Sequence, residues 1–106
     1  METIKFSKNW NYKLFTENFT TIRLFSKKYQ VGKMYEIEFN GKKIEAECIS
    51  VTPILLHNIP EYVFLTDTGY YKDESIKMIE TMYKKHNIDF SKYPMAIIVL
   101  KQKIKY

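Results

Sequence analysis

The strongest constraint on the fold is a regular alternation of apolar and charged residues on both sides of Asn40-Gly41. Apolar residues occupy every second position from 35 to 39 and again from 44 to 48, with glutamates between them. A period of two is typical of a β-strand, whose side chains alternate between its two faces. Asn-Gly supplies the positive φ angles that a two-residue type I′ turn requires. We therefore predict a β-hairpin about this turn.

Shorter patterns predict three other strands. Residues 3–6 alternate apolar and polar side chains, and residues 19–25 are rich in β-branched and aromatic types. Residues 95–100 are continuously apolar and too few for a helix, so we expect a strand that is buried on both faces. After Val51 the strand pattern is predicted to break at Pro53.

Three helices are predicted. The first is short, is capped by Ser7 or Asn9 and ends by residue 18. The second begins at Pro60 and ends at Gly69. The third spans residues 73–86 and has acidic residues in its first turn and basic residues in its last, as the helix dipole favours. We expect the first helix to turn Trp10, Leu14 and Phe15 inward.

The order β, α, β, β, β, α, α, β predicts an α+β fold. We expect a strongly curved sheet or small β-barrel with helices at its ends. A chain of 106 residues lies within the range of one domain, and no repeat or linker divides it. Residues 1–106 are therefore predicted to form a single domain.

The charge of the chain favours an anionic partner. Seventeen basic residues outnumber twelve acidic ones, which gives a net charge of +5, and only one of the seventeen, Arg23, is an arginine. Such an excess is common in nucleic-acid-binding domains, although a lysine-rich surface also serves solubility.

Membrane, secreted and metal-binding classes are not favoured. No apolar run approaches the ~20 residues that span a bilayer, and the N-terminus lacks the apolar stretch of a secretory signal. We therefore expect a cytoplasmic protein without membrane contact. Cys48, His57 and His86 stand at irregular spacings that match no zinc pattern. We predict neither a metal site nor a cofactor.

Several short motifs occur in the order typical of one family. Asn-Phe-Thr-Thr-Ile-Arg at 18–23 precedes Gly32-Lys33 and the hairpin, and Thr68-Gly69-Tyr70 precedes the longest helix and the closing apolar strand. Over nearly its whole length the chain resembles an ASCH domain, a branch of the PUA-like superfamily. The resemblance implies a PUA-like β-barrel flanked by helices, with a cleft at the barrel mouth between residues 20–23 and 67–71. It also implies RNA binding or nucleoside chemistry in that cleft.

Enzymatic members of the family resemble amidohydrolases that remove an acyl group from a modified cytidine with a lysine, a threonine and a carboxylate. Thr21 matches the threonine of the motif. Asn18 stands at the lysine position, so Lys13 is the nearest substitute, and Thr68 stands at the carboxylate position, one residue from Asp67. If the chain is an enzyme, the resemblance therefore implies Thr21, Asp67 and Lys13 as the catalytic residues.

Arg23 falls at the arginine position of the motif. Strand alternation places Thr21 and Arg23 on one face and Thr20 with Ile22 on the other. The guanidinium group offers a planar fork for phosphate, carboxylate or a base edge. The alternative is an ion pair, to Asp67 or a hairpin glutamate, that holds the barrel closed.

Basic and aromatic residues around the predicted cleft complete a nucleic-acid site. Lysines of the loop after the second strand could follow a nucleic-acid backbone, and tyrosines there and after Gly69 could stack on bases. The predicted binding residues are Thr20, Thr21, Arg23, Lys27, Lys28, Lys33, Tyr70 and Tyr71, with Tyr29 as a further stacking surface.

Three functions follow from these patterns. The first hypothesis is a small nucleic-acid-binding module for RNA or a nucleotide. The second is an amidohydrolase or a ribonuclease that uses the same cleft, and the third is a protein-interaction or regulatory domain. The sequence leaves the oligomeric state open.

Overall fold

The computed structural model describes residues 1–6 and 17–103, which form a small α+β structure with a curled mixed sheet. The predicted α+β class and curved sheet are confirmed, and the curl amounts to a half-barrel. The strands are β1 (Glu2–Phe6), β2 (Asn18–Leu24), β3 (Met34–Phe39), β4 (Lys42–Ile54) and β5 (Met95–Gln102), and the helices are α1 (Glu61–Thr68) and α2 (Lys72–Met82).

The strands lie in the order β1-β3-β4-β5-β2, so β1 and β2 form the two edges of the sheet. β1 is parallel to β3, whereas the other neighbouring pairs are antiparallel. The predicted hairpin is confirmed as β3 and β4, with Ile37 opposite Ile44. Asn40 and Gly41 have φ angles of 52° and 75°, as a type I′ turn requires.

β4 is longer than the sequence pattern indicates. The predicted break at Pro53 is wrong, because the strand continues past this residue and Pro53 pairs with Ala96 of β5. Within the described residues β3 pairs with β4 only as far as Glu47. The pairing of β4 with β5 then shifts in register between Cys48 and Ser50. Beyond that point β4 has β5 as its one neighbouring strand among residues 1–6 and 17–103. Proline is tolerated at such an edge because no second strand needs its N–H.

The sheet separates two hydrophobic cores. β5 contributes to both of them, which confirms the prediction of a strand buried on both faces. The inner core fills the hollow of the half-barrel and consists of Ile4, Phe6, Phe19, Tyr29, Tyr35, Ile37, Ala46, Cys48, Ala96, Ile98 and Leu100. The outer core lies between the sheet and the helices and consists of Ile22, Leu56, Ile59, Phe64, Ile76, Ile79 and Met95.

Side chains of the two edge strands meet across the opening of the curl. Phe6 of β1 and Phe19 of β2 pack edge to face, with 6.2 Å between their ring centroids. Both rings are buried in the inner core. Because β1 and β2 lie at opposite edges of the sheet, this contact closes the half-barrel over that core.

Both helices predicted after the hairpin are present. α1 follows Pro60 and ends at Gly69, whose φ of 80° is the left-handed conformation common at helix ends. A turn of 3-10 helix over Lys84–His86 extends α2 to the end of the predicted range 73–86, and Asn87 with a φ of 50° ends it.

Two sequence predictions lie outside the described residues. One is the first helix, which was expected to begin at Ser7 or Asn9. The other is Lys13, the predicted catalytic lysine.

Replacing Gly41 by alanine is expected to lower the free energy of unfolding by about 1 kcal/mol. Gly41 has a φ of 75°, and no described atom lies within 4 Å of the position that a Cβ would take. The loss should therefore measure backbone strain alone, in urea unfolding. Gly32, with a φ of 85° and equally open surroundings, is the matched comparison and should show a similar loss. An unchanged stability of Gly41→Ala would contradict the turn.

Candidate functional site

Arg23 connects the two edge strands on the inner face of the sheet. Its Nε donates a hydrogen bond to Thr21 Oγ1 at 3.1 Å, and its Nη2 donates to the carbonyl oxygen of Lys5 at 2.7 Å. Its guanidinium carbon lies 4.8 Å from the ring centroid of Phe6. Thr21 belongs to β2, whereas Lys5 and Phe6 belong to β1, so Arg23 adds a polar link to the aromatic closure of the half-barrel.

The bonds of Arg23 differ from the predicted ion pair. Its acceptors are a hydroxyl and a carbonyl oxygen, and no carboxylate within residues 1–6 and 17–103 forms a salt bridge with it. Ala96 lies opposite Arg23 in the register between β2 and β5. The arginine therefore holds the sheet closed, although through neutral partners.

Strand β2 separates Thr21 from Asp67. Thr21 is buried and lies opposite Ile98, a residue of the inner core. Thr20, its neighbour, donates from Oγ1 to Asp67 Oδ1 at 2.7 Å, and Asp67 is a buried residue of α1. Adjacent residues of a strand point to opposite faces. The predicted catalytic threonine and carboxylate are therefore on opposite faces of the sheet.

Thr68, which stands at the carboxylate position of the family motif, joins α1 to α2. Its buried hydroxyl donates to the carbonyl oxygen of Phe64 at 2.9 Å and lies 2.9 Å from Ser75 Oγ. It also accepts a hydrogen bond from the N–H of Tyr70 at 3.1 Å. Tyr70 and Tyr71 follow this junction and expose 44% and 63% of their surfaces, so both rings are open to a ligand.

Tyr35 fastens the loop 25–33, between β2 and β3, to the inner core. This fully buried tyrosine donates from its hydroxyl to the carbonyl oxygen of Lys28 and accepts from the N–H of Gln30 at 2.8 Å. Burial raises the pKa of the Tyr35 phenol above its ordinary value. Tyr29 is buried beside Tyr35, with 6.4 Å between ring centroids, so its prediction as a stacking surface is wrong.

The end of the same loop is fixed to β4. The N–H of Gly32 donates to the carbonyl oxygen of Cys48 at 2.8 Å, and the N–H of Cys48 donates to the carbonyl oxygen of Lys33 at 2.9 Å. Lys33 Nζ lies 2.8 Å from Glu2 Oε1, and their hydrogen bond raises the pKa of Lys33 and lowers the pKa of Glu2. Lys33 is thus engaged by its own chain.

Lys27 and Lys28 are exposed on this anchored loop. Lys28 Nζ lies 5.1 Å from the ring centroid of Tyr29, and neither lysine forms a salt bridge with a described carboxylate. The loop therefore presents two ammonium groups to solvent from a backbone that the core holds in place.

Sequence reasoning gives no prediction for Lys92 and Tyr93, which the structure places beside this loop. The hydroxyl of Tyr93 donates to the carbonyl oxygen of Phe25 at 3.0 Å, and the N–H of Phe25 donates to the carbonyl oxygen of Pro94 at 3.1 Å. Lys92 and Tyr93 are both exposed. The only sequence signal is a basic and an aromatic residue before an apolar strand, and it carries no information about a contact 68 positions away.

The described part of the chain offers neither a metal site nor a helix that could span a membrane. Within it, no three side chains of His, Cys, Asp or Glu are grouped so that they could hold a metal ion. Neither described helix has the length and apolar character needed to cross a bilayer. Comparison of the chain with protein-family models, curated proteins and solved structures gives no match. The function is therefore inferred from the arrangement of the chain's own residues.

Replacing Arg23 by lysine is expected to lower the free energy of unfolding by about 1–3 kcal/mol, because an ammonium group cannot reach both Thr21 and Lys5 with the geometry of the guanidinium fork. Urea unfolding measures the loss. Lys101→Ala, which removes an exposed pair with Glu17 at 3.9 Å, is the control and should change stability by less than about 0.5 kcal/mol. Equal stability of Arg23→Lys and wild type would contradict the closing role.

Replacing Tyr35 by phenylalanine is expected to lower the free energy of unfolding by about 1–3 kcal/mol near neutral pH, because two partly buried hydrogen bonds of the loop are lost. The cost should shrink above the ordinary pKa of about 10, since a raised pKa means that the unfolded phenol ionises first and the folded state loses its advantage as pH rises. Urea unfolding at a series of pH values measures both effects. The other titrating groups are common to both proteins, so a constant difference between them would contradict this role of Tyr35.

Proposed function

We propose that this half-barrel is a PUA-like, ASCH-type module of the cytoplasm that binds RNA through the loop between β2 and β3. The observation that carries the proposal is the pair Lys27 and Lys28, exposed on a loop whose backbone is bonded to the buried hydroxyl of Tyr35. Neither lysine forms a salt bridge with a carboxylate among the described residues, although Glu2, whose pKa is lowered by Lys33 and also by Lys28, lies near Lys28. Both are thus available to phosphate groups.

The anchored loop favours binding in two ways. Its backbone bonds to Tyr35 and Cys48 exist before a ligand arrives, so little conformational entropy is lost when the ligand binds. The exposed lysines attract phosphates and release counterions from the nucleic acid, which makes the affinity dependent on salt. Tyr70 and Tyr71, exposed at the junction of α1 and α2, offer further rings for base stacking.

Catalysis has less support than binding. A hydrolase of the predicted kind needs Thr21 and Asp67 at one substrate, yet β2 stands between them. Thr21 is bonded to Arg23, and Asp67 is bonded to Thr20. We therefore assign these four residues to the framework of the module, and we assign affinity to the lysines of the loop.

The double variant Lys27→Ala/Lys28→Ala is expected to bind single-stranded RNA more weakly than wild type and with a smaller dependence on salt. Each phosphate contact on a single strand contributes about 0.7 to the slope of log affinity against log salt, so the slope should fall by about 1.4. Fluorescence anisotropy of a labelled oligoribonucleotide at several salt concentrations measures both quantities.

The matched control is Lys42→Ala/Lys101→Ala, which removes the same charge from two exposed lysines outside the loop. Lys101 pairs with Asn18, six residues from Leu24, at which β2 ends and the loop begins. That distance along the strand is about 20 Å. Absence of binding, binding that salt does not weaken, or an equal loss in the control would each count against the proposal.

A further inference from the structure

Two loops that are remote in sequence meet where β2 ends and β5 begins. The N–H of Phe25 and the carbonyl oxygen of Pro94 are bonded at 3.1 Å, and the hydroxyl of Tyr93 donates to the carbonyl oxygen of Phe25 at 3.0 Å. Lys27 and Lys28 follow Phe25 closely, and Lys92 precedes Tyr93. The bonds through Phe25 therefore hold the cations of both loops at one end of the sheet.

A third segment joins the same end through aromatic contacts. The ring of Tyr83, at the end of α2, lies 6.4 Å from the ring of Phe90 and 6.1 Å from that of His86, centroid to centroid. Phe90 belongs to the loop that carries Tyr93. The contact between Tyr83 and Phe90 therefore joins the 3-10 turn Lys84–His86 to the loop that carries Tyr93. The three basic side chains of the turn are exposed.

The joined segments carry mainly positive charge. We call the exposed side chains of these segments the basic ridge; its members are Lys27, Lys28, Lys84, Lys85, His86, Lys92 and Tyr93. Within residues 25–28 and 83–94 the one carboxylate is Asp89. Its Oδ1 accepts from the N–H and the hydroxyl of Ser91, at 3.0 and 2.5 Å, and these bonds lower the pKa of Asp89. One negative charge therefore remains among the six basic residues of the ridge.

Tyr93 gives the basic ridge a fixed aromatic surface. Its hydroxyl is held by Phe25, while 48% of its surface remains exposed. A ring that is fixed at one end and open on a face is suited to stacking on an unpaired base. Lys92 lies beside it on the same loop, where it can contact a phosphate next to that base.

We infer that the basic ridge is a track for single-stranded RNA that runs from Lys27 and Lys28 past Tyr93 to Lys84–His86. The inference rests on the proposed function and extends it to residues on α2 and the loop before β5. Cations on both sides of an aromatic ring match a chain that alternates phosphates with bases, because the cations can take the phosphates and the ring can take a base. A base-free polyanion would use the lysines and leave Tyr93 without a role.

Binding of a labelled oligouridylate of roughly twelve nucleotides, a length within the usual site sizes, tests the track. Lys84→Ala/Lys85→Ala should lower the slope of log affinity against log salt by about 1.4, the same decrease that is expected for Lys27→Ala/Lys28→Ala. Tyr93→Leu should weaken binding about 5- to 150-fold through loss of stacking. Tyr93→Phe keeps the ring and should retain most of the affinity, which separates stacking from any effect of the lost hydroxyl on folding. Heparin, a polyanion without bases, should respond to the lysine variants and not to Tyr93→Leu.

The outcomes distinguish the track from the proposed function. If wild type binds the oligonucleotide and Lys27→Ala/Lys28→Ala weakens it, while the ridge variants match Lys42→Ala/Lys101→Ala, the track is overturned and the proposed function stands. If wild type binds neither probe, both are overturned. If both probes bind and Tyr93→Leu changes neither affinity, the ridge recognises acidic surfaces in general, and the RNA track is overturned.

Discussion

The structure depends on how the two edges of one curled sheet are brought together. Phe6 and Phe19 pack across the opening, and Arg23 adds hydrogen bonds beside them. Exposed strand edges are templates for unwanted pairing, which full barrels avoid by closing their hydrogen-bond ladder. Here side chains take the place of a ladder between β1 and β2, and they also cover the inner core. A sheet of this size thereby gains a protected interior on its concave face as well as on its helix face.

This closure gives the one arginine a different role from that of the sixteen lysines. A guanidinium group can donate in several fixed directions, and Arg23 uses them on Thr21 and Lys5 to join strands. Lysine supplies a mobile point charge, which suits contact with phosphates of variable position. The chain thus combines geometric precision inside the sheet with adjustable charge on its surface.

The sequence predicts those parts of the fold that depend on neighbours in the chain. The Asn40-Gly41 turn, the doubly buried β5 and the helix after Gly69 all follow from local pattern, and each is observed. Pro53 was misjudged because its tolerance depends on where β3 stops accompanying β4. Within the site, strand alternation predicts that Thr21 and Arg23 share a face of the sheet, and they are hydrogen-bonded. The bond between Thr20 and Asp67 joins residues 47 positions apart, so it depends on where α1 packs and has no local pattern. Contacts such as Tyr93 with Phe25 leave no local signature at all.

The bonds that fix loop 25–33 also restrict how it can evolve. Tyr35 holds the backbone at Lys28 and Gln30, and Cys48 holds it on both sides of the Gly32-Lys33 bond. Surface loops commonly vary by insertion and deletion. One residue added or removed here would break the register of several hydrogen bonds that anchor the loop, so related proteins are expected to vary this loop by substitution at constant length. Changes of charge at positions 27 and 28 would then be the simplest means of altering what it binds.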